Sequence, residues 1–106
     1  MAKIMFILQR RPDQTHNECM QYWASPGHTS IFKKIPSVTK WVQNQVVGGP
    51  GEPPCDGVGE IWFESDQAMQ TALNSPEMAA AVEDAKNFLD MDRTKMIIVQ
   101  EKTVFG

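Results

Sequence analysis

The order of elements along the chain predicts an α+β fold, a split βαβ arrangement in which a four-stranded antiparallel sheet carries its helices on one side. Two observations carry this reading. Four runs of strand length, Lys3–Leu8, Val38–Val47, Val58–Phe63 and Lys95–Glu101, are separated by segments with helix caps and helical spacing in the order strand, helix, strand, strand, helix, strand. The first and last runs are apolar on consecutive residues, so a sheet clad on one face alone would leave apolar surface on the other, and a second copy of the chain is the simplest cover. At 106 residues, with no break in composition, the whole chain 1–106 reads as one domain.

The first strand, Lys3–Leu8, stops at Gln9-Arg10-Arg11-Pro12. Thr15-His16-Asn17-Glu18 has the spacing of a capping box, and a helix is expected to start near Pro12 to Gln14. Ser25-Pro26-Gly27 breaks it, and a short helical stretch, His28 to Ile35, follows before Pro36. The second strand puts Val38, Lys40, Val42, Asn44 and Val46 on one face and Thr39, Trp41, Gln43, Gln45 and Val47 on the other. Residues 48–57 hold four glycines and three prolines, the composition of a loop. Glycines on either side of Val58 leave room on the third strand for a neighbouring backbone or a ligand. Ser65 is a helix cap, Asp66 to Leu73 is helical, and Ser75-Pro76-Glu77 restarts a helix whose stripe is Met78, Ala81, Val82 and Ala85.

Composition excludes several functions. A net charge of −3, with no basic cluster beyond the pairs Arg10-Arg11 and Lys33-Lys34, argues against a nucleic-acid partner. No stretch reaches the ~20 apolar residues of a membrane span, and the apolar start is too short for a signal peptide, so the chain reads as cytoplasmic, with no membrane partner. Cys19 and Cys55 are then expected as free thiols. Neither has metal-ligand spacing to a histidine, and Asp84, Asp90 and Asp92 lack the spacing of a metal loop, so no metal is expected, and with no Gly-rich phosphate loop no nucleotide cofactor is expected either.

With two histidines in the chain, the neutral-pH acid or base is sought there. His16, inside the capping box, is expected to point outward as a surface residue. His28 follows the Pro-Gly break close to Tyr22 and Trp23 and reads either as a pocket acid/base or as a structural hydrogen-bonding group. Asn44 projects among valines and either binds a substrate carbonyl or is a satisfied amide. Gln43 and Gln45 are expected at the dimer face or in solvent. Glu60, among apolar neighbours, is expected to have a raised pKa suited to a base, unless it sits at a sheet edge. Trp23, Trp41, Trp62, Phe32 and Phe88 are core or cavity lining; flat rings around a cavity suit an aromatic ligand, and seven methionines add packing that adapts to ligand shape.

Taken together, Phe6-Ile7-Leu8-Gln9-Arg10-Arg11-Pro12, Tyr22-Trp23 before His28, Ile35-Pro36 leading to Trp41-Val42-Gln43-Asn44, Asp56 to Phe63, Leu73-Asn74-Ser75-Pro76-Glu77 and Asn87-Phe88-Leu89-Asp90 resemble the EthD family of dimeric α/β-barrel proteins, in the ferredoxin-like superfamily. That family usually shows His-Gly-Pro where this chain has His28-Thr29-Ser30, and one extra residue precedes the histidine here. The resemblance implies a homodimer, two sheets facing each other as a barrel, and an apolar pocket between sheet and helices. Relatives include proteins tied to ether degradation beside an oxygenase, lactone isomerases, polyketide cyclases and cofactor-free monooxygenases. The expected function is a cofactor-independent isomerase, cyclase or lyase for an aromatic, lactone or polyketide-like compound. His28 would be the catalytic group, with Tyr22, Trp23, Trp41, Asn44, Glu60, Trp62 and Phe88 around the substrate. The alternatives are a hydrophobic-ligand delivery protein serving an oxygenase and a cofactor-free monooxygenase.

Overall fold

A computed structural model describes residues 2–106. Its elements run β1 (Ala2–Leu8), α1 (His16–Ala24), α2 (Pro26–Phe32), β2 (Val38–Gln45), β3 (Gly57–Phe63), α3 (Asp66–Leu73), α4 (Pro76–Ala85) and β4 (Lys95–Gln100). The strands form one antiparallel sheet in the order β2-β3-β1-β4, the α+β ferredoxin-like arrangement that the element order predicts.

Each helical layer is broken by the same dipeptide. At Ser25-Pro26 and Ser75-Pro76 the serine hydroxyl donates to a carbonyl three residues back, Tyr22 and Ala72, at 2.6 Å in both cases. The proline that follows has no N–H to lose at a helix start. The first helix begins later than Pro12–Gln14. Thr15 makes both capping-box bonds, Glu18 N–H to Oγ1 at 3.1 Å and its own N–H to Glu18 Oε1 at 2.9 Å, which fixes the cap at 15 and leaves 12–14 as a turn. Helix α2 likewise starts at Pro26 and ends at Phe32, and β2 stops at Gln45 rather than Val47.

Register assigns the faces. Ile4 pairs with Ile61, Phe6 with Gly59 and Leu8 with Gly57, while Trp41 and Gln43 of β2 lie opposite Ile61 and Gly59. These residues look toward the helices, and Ile4, Leu8, Ile61 and Phe63 are buried there with Phe32, Met69 and Phe88. The core divides into two clusters, one under α2–α4 around Ile61 and Phe63, the other under α1 around Trp23 and Phe88. Phe6 packs against both.

The room left by Gly57 and Gly59 is taken by the Trp23 ring. A Cβ on Gly57 would lie 2.7 Å from Trp23 Cζ3 and 3.2 Å from the Asn44 carbonyl, and one on Gly59 would lie 3.3 Å from Trp23 Cζ2. Gln43 does not reach the open face or solvent: its Nε2 donates to the Trp23 carbonyl at 2.8 Å and fastens the end of α1 to β2.

The opposite face of the sheet carries no helix. The last strand leaves Ile97, 44% exposed, on this face beside Met5. Half-buried Met5, Ile7, Val42 and Val58 share it with an ion-paired ladder, in which Lys3 Nζ lies 2.6 Å from Glu60 Oε2. Lys3 and Lys40 stand 4.6 and 4.8 Å from the centre of the Trp62 ring, whose indole N–H donates to Glu101. Among the described residues, no helix is long and apolar enough to cross a membrane.

Candidate active site

The Ser25-Pro26 break turns the chain so that His28, early in α2, points down between α4 and the sheet, where it is 3% exposed. Its Nδ1 lies 2.7 Å from Oδ2 of Asp84, in the last turn of α4. The other carboxylate oxygen accepts the Tyr22 hydroxyl at 2.8 Å, and Asn87 Nδ2 reaches both that oxygen and the Tyr22 hydroxyl at 3.3 Å. Burial alone would raise the Asp84 pKa, but the bonds from His28 and Tyr22 outweigh it and hold the carboxyl below its ordinary value. An ionised carboxylate only accepts, so Nδ1 of His28 carries the proton and, in the neutral ring, Nε2 is the lone-pair nitrogen.

Aromatic rings enclose the imidazole. Phe88 and Trp41 meet it edge-on at 5.1 and 6.2 Å between ring centres, and Phe32, stacked on Trp41 at 4.1 Å, lies 5.7 Å away. His28 forms part of the wall of an apolar cavity of about 60 Å³ between the sheet and α4, floored by Phe6 and Gly59 and bounded by Trp23, Met78 and Met91. That is far below the volume of a typical small-molecule site, and Met78 and Met91 are the lining side chains that adapt most readily to a ligand. Thr94, also at the wall, is turned away: its Oγ1 accepts the Gln9 N–H at 3.1 Å and donates to the Gln9 carbonyl at 3.4 Å.

The residues singled out from sequence divide between the two faces of the sheet. His28, Trp23, Trp41 and Phe88 meet at the cavity, and Tyr22 stands behind it, holding Asp84. Asn44, Glu60 and Trp62 lie on the helix-free face and do not reach this cavity. Asn44 there donates to the Val58 carbonyl and to Glu60 Oε1, both at 2.9 Å. The expected rise in the Glu60 pKa is not found. The hydrogen bonds from Lys3 and Asn44 hold it below the ordinary value against the effect of burial: Met5 and Val42 lie directly opposite, but Lys3 and Asn44 reach the carboxylate from diagonal positions on the neighbouring strands.

His16 is not a plain surface residue either. Its Nδ1 lies 2.8 Å from Oδ1 of Asp56, a buried aspartate that the β2–β3 loop carries over the start of α1. Cys19 and Cys55 are both free; burial pushes the Cys19 thiol up to about 11, and burial also raises Cys55, which makes both poor nucleophiles at neutral pH. Among the described residues no cluster of His, Cys, Asp and Glu could hold a metal ion. From sequence Asp84 figures only as a rejected metal ligand and Asn87 only within a family motif, and neither is read there as a partner of His28. The signal was present in part, since Asp84 follows Ala81 by three residues and so flanks the apolar stripe of α4.

Residues 11–92 match the EthD domain. The chain belongs to the EthD family. Solved structures agree over nearly its full length. An ethyl tert-butyl ether D (EthD) family protein from Bacillus halodurans superposes with a TM-score of 0.76 at 22% identity, over 96% of this chain and 100% of that one. A protein from Bacteroides fragilis, described as dimeric, of unknown function and with a ferredoxin-like fold, gives 0.67 at 16% identity, over 94% and 95%. SnoaB from Streptomyces nogalater, described as a cofactor-independent oxygenase, gives 0.64 at 9% identity, over 97% and 94%. At these identities the likeness is one of fold. No curated protein matches this EthD-family chain in sequence.

Proposed function

We propose that this EthD-family chain is one domain over residues 1–106, pairs with a second copy through the helix-free face of its sheet, and works as a cofactor-independent enzyme. It moves a proton on an aromatic, lactone or polyketide-like molecule, as an isomerase, cyclase or lyase. One observation carries the reading: a histidine at the wall of an apolar cavity, oriented through Nδ1 by an ionised, otherwise saturated aspartate. Such an arrangement is the standard preparation of Nε2 as a general base.

In the proposed step Nε2 takes a proton from a carbon next to a carbonyl. The imidazolium that forms is stabilised by Asp84, whose carboxylate cannot rotate away while Tyr22 and Asn87 hold it. Returning the proton to a different atom of the substrate completes an isomerisation with no net redox change. With Thr94 committed to Gln9, the side-chain donors left among the described lining residues are His28 and the indole N–H groups of Trp23 and Trp41. The rings around the cavity suit a conjugated substrate over which the negative charge also spreads, which favours aromatic and polyketide-like compounds. Asn44, Glu60 and Trp62 act between the two copies, and the likeness to proteins described as dimeric supports the pairing.

The test is carbon–hydrogen exchange in deuterated water over a panel of lactones and aromatic ketones, followed by proton NMR. Wild-type protein should exchange at least one compound, and His28→Ala should slow that exchange by about a hundredfold or more. Equal exchange in the variant removes His28 from the chemistry. The almost wholly apolar lining favours one second reading, a delivery protein that holds the compound for an oxygenase. On that reading no compound exchanges, yet binding persists in His28→Ala.

A further inference from the structure

A second, larger depression lies away from the apolar cavity, where Gln9 and Arg10 at the end of β1, His16 at the start of α1, the β2–β3 loop and Arg93 converge. Its volume is about 480 Å³, within the size range of small-molecule sites. Behind it stands Asp56, 4% exposed, and every oxygen of this carboxylate is already occupied. Oδ1 accepts Arg10 Nη1 at 2.7 Å and meets His16 Nδ1 at 2.8 Å, while Oδ2 accepts the Arg10 backbone N–H at 2.9 Å. Burial alone would raise the Asp56 pKa, and these bonds reverse that, so it stays ionised at neutral pH.

A saturated carboxylate cannot receive a ligand's cation or donor. What it does is hold two donor groups by one edge each. Arg10, its Nε on the Gln14 carbonyl, keeps its remaining N–H groups free, and its side chain is 46% exposed. His16, 36% exposed at its side chain, has Nε2 left over, which donates only in the imidazolium form. Arg93, exposed at the rim, has no ion pair among the described residues. The remaining charged group of the lining is the carboxylate of Glu52, on the exposed stretch of the loop. The walls between these groups are apolar and stiff: Pro12, Pro53, Pro54 and Val46.

We propose that this groove is a binding site for a small organic oxyanion, a carboxylate or a phosphate ester. Arg10 and Arg93 take the anionic head, joined by His16 when its ring is the imidazolium, and the prolines take the body. Asp56 pre-sets Arg10 and His16, so little side-chain freedom is lost on binding, and a guanidinium fork matches two oxygens of either anion.

The experiment is a titration of the whole protein with inorganic phosphate, and separately with benzoate, at constant ionic strength held by chloride. It is followed by NMR at the His16 ring and the Arg10 and Arg93 side chains. Saturable shifts at all three groups with either probe are expected. A response to phosphate alone identifies a phosphate head, and one to benzoate alone a carboxylate head. Arg93→Gln, an exposed position whose loss leaves folding intact, should weaken that binding about tenfold with Tm unchanged. Shifts that stay linear with concentration, or an affinity that Arg93→Gln leaves as it was, overturn the proposal. The His28 ring, read in the same spectra, reports the other cavity, so the failure of one site is distinguishable from the failure of the other.

Discussion

Nδ1 of His28 and Oδ2 of Asp84 are 2.7 Å apart, with side chains 4% and 10% exposed, although 56 residues separate them in the chain. The pair joins α2 to α4 and, in the proposed mechanism, sets which ring nitrogen meets the substrate. Replacing Asp84 by Asn keeps the shape but removes the charge that fixes the tautomer. Turnover should fall about a hundredfold, with KM changed far less, because the loss is felt when the imidazolium forms. Equal turnover in wild type and Asp84→Asn would contradict this role.

The same aspartate gives a pH dependence of stability. Its folded pKa is lowered relative to the unfolded chain, by the bonds from His28 and Tyr22 acting against burial. Its stabilisation is therefore fully present above the ordinary aspartate value and is lost as pH falls through the lowered one. Denaturant unfolding between neutral and acid pH should show a shallower acid decline in Asp84→Asn than in wild type.

Gly57 faces the buried Trp23 ring with no room for a methyl group. Gly57→Ala, which puts Cβ 2.7 Å from Trp23 Cζ3 and 3.2 Å from a backbone oxygen, should cost about 1–3 kcal/mol. Gly59→Ala, at 3.3 Å from the same ring, should cost less. Calorimetric Tm values of the two variants decide the order.

On the helix-free face, Lys3 and Glu60 sit at 10% and 20% side-chain exposure, and removing either leaves the other with its weaker partner, Lys3 with Glu101 at 3.5 Å and Glu60 with the Asn44 amide. Glu60→Gln should destabilise by about 2 kcal/mol, and Lys3→Met in the same chain should recover much of it. A double-mutant cycle by chemical denaturation measures the coupling; strictly additive losses would mean that the ladder contributes nothing as a pair.

Met5, Ile7, Val42 and Val58 lie half-buried around that ladder. If they meet a second copy, sedimentation equilibrium at micromolar concentration should give a dimer. Met5→Glu, which buries an unpaired charge at the contact, should weaken that dimer about a hundredfold while leaving the fold intact.

The local signals in the sequence proved reliable where a few neighbouring residues settle the structure. Thr15 with Glu18, Ser65, and Ser75 with Pro76 cap the helices as their types demand, and the strand runs pair in the expected antiparallel order. What sequence could not show is who stands across from whom. Glu60 looks isolated among apolar residues along its own strand, yet Lys3 arrives from β1 to pair with it. His16 looks exposed at a helix start until the β2–β3 loop brings Asp56 over it. Asp84 is one acidic residue among several until α2 presents His28 to it. In each case the partner is 40 or more residues away, so its effect on charge exists only after folding.

The most direct measurement is the nitrogen spectrum of the His28 ring, read through long-range couplings to its carbon-bound protons, with and without an aromatic ligand such as a substituted phenol. In its neutral form the ring should show a protonated Nδ1 and a lone-pair Nε2, and ligand should move the Nε2 resonance while Nδ1 stays with Asp84. A ring protonated at Nε2, or one indifferent to every ligand that binds the protein, would contradict a base poised over the apolar cavity.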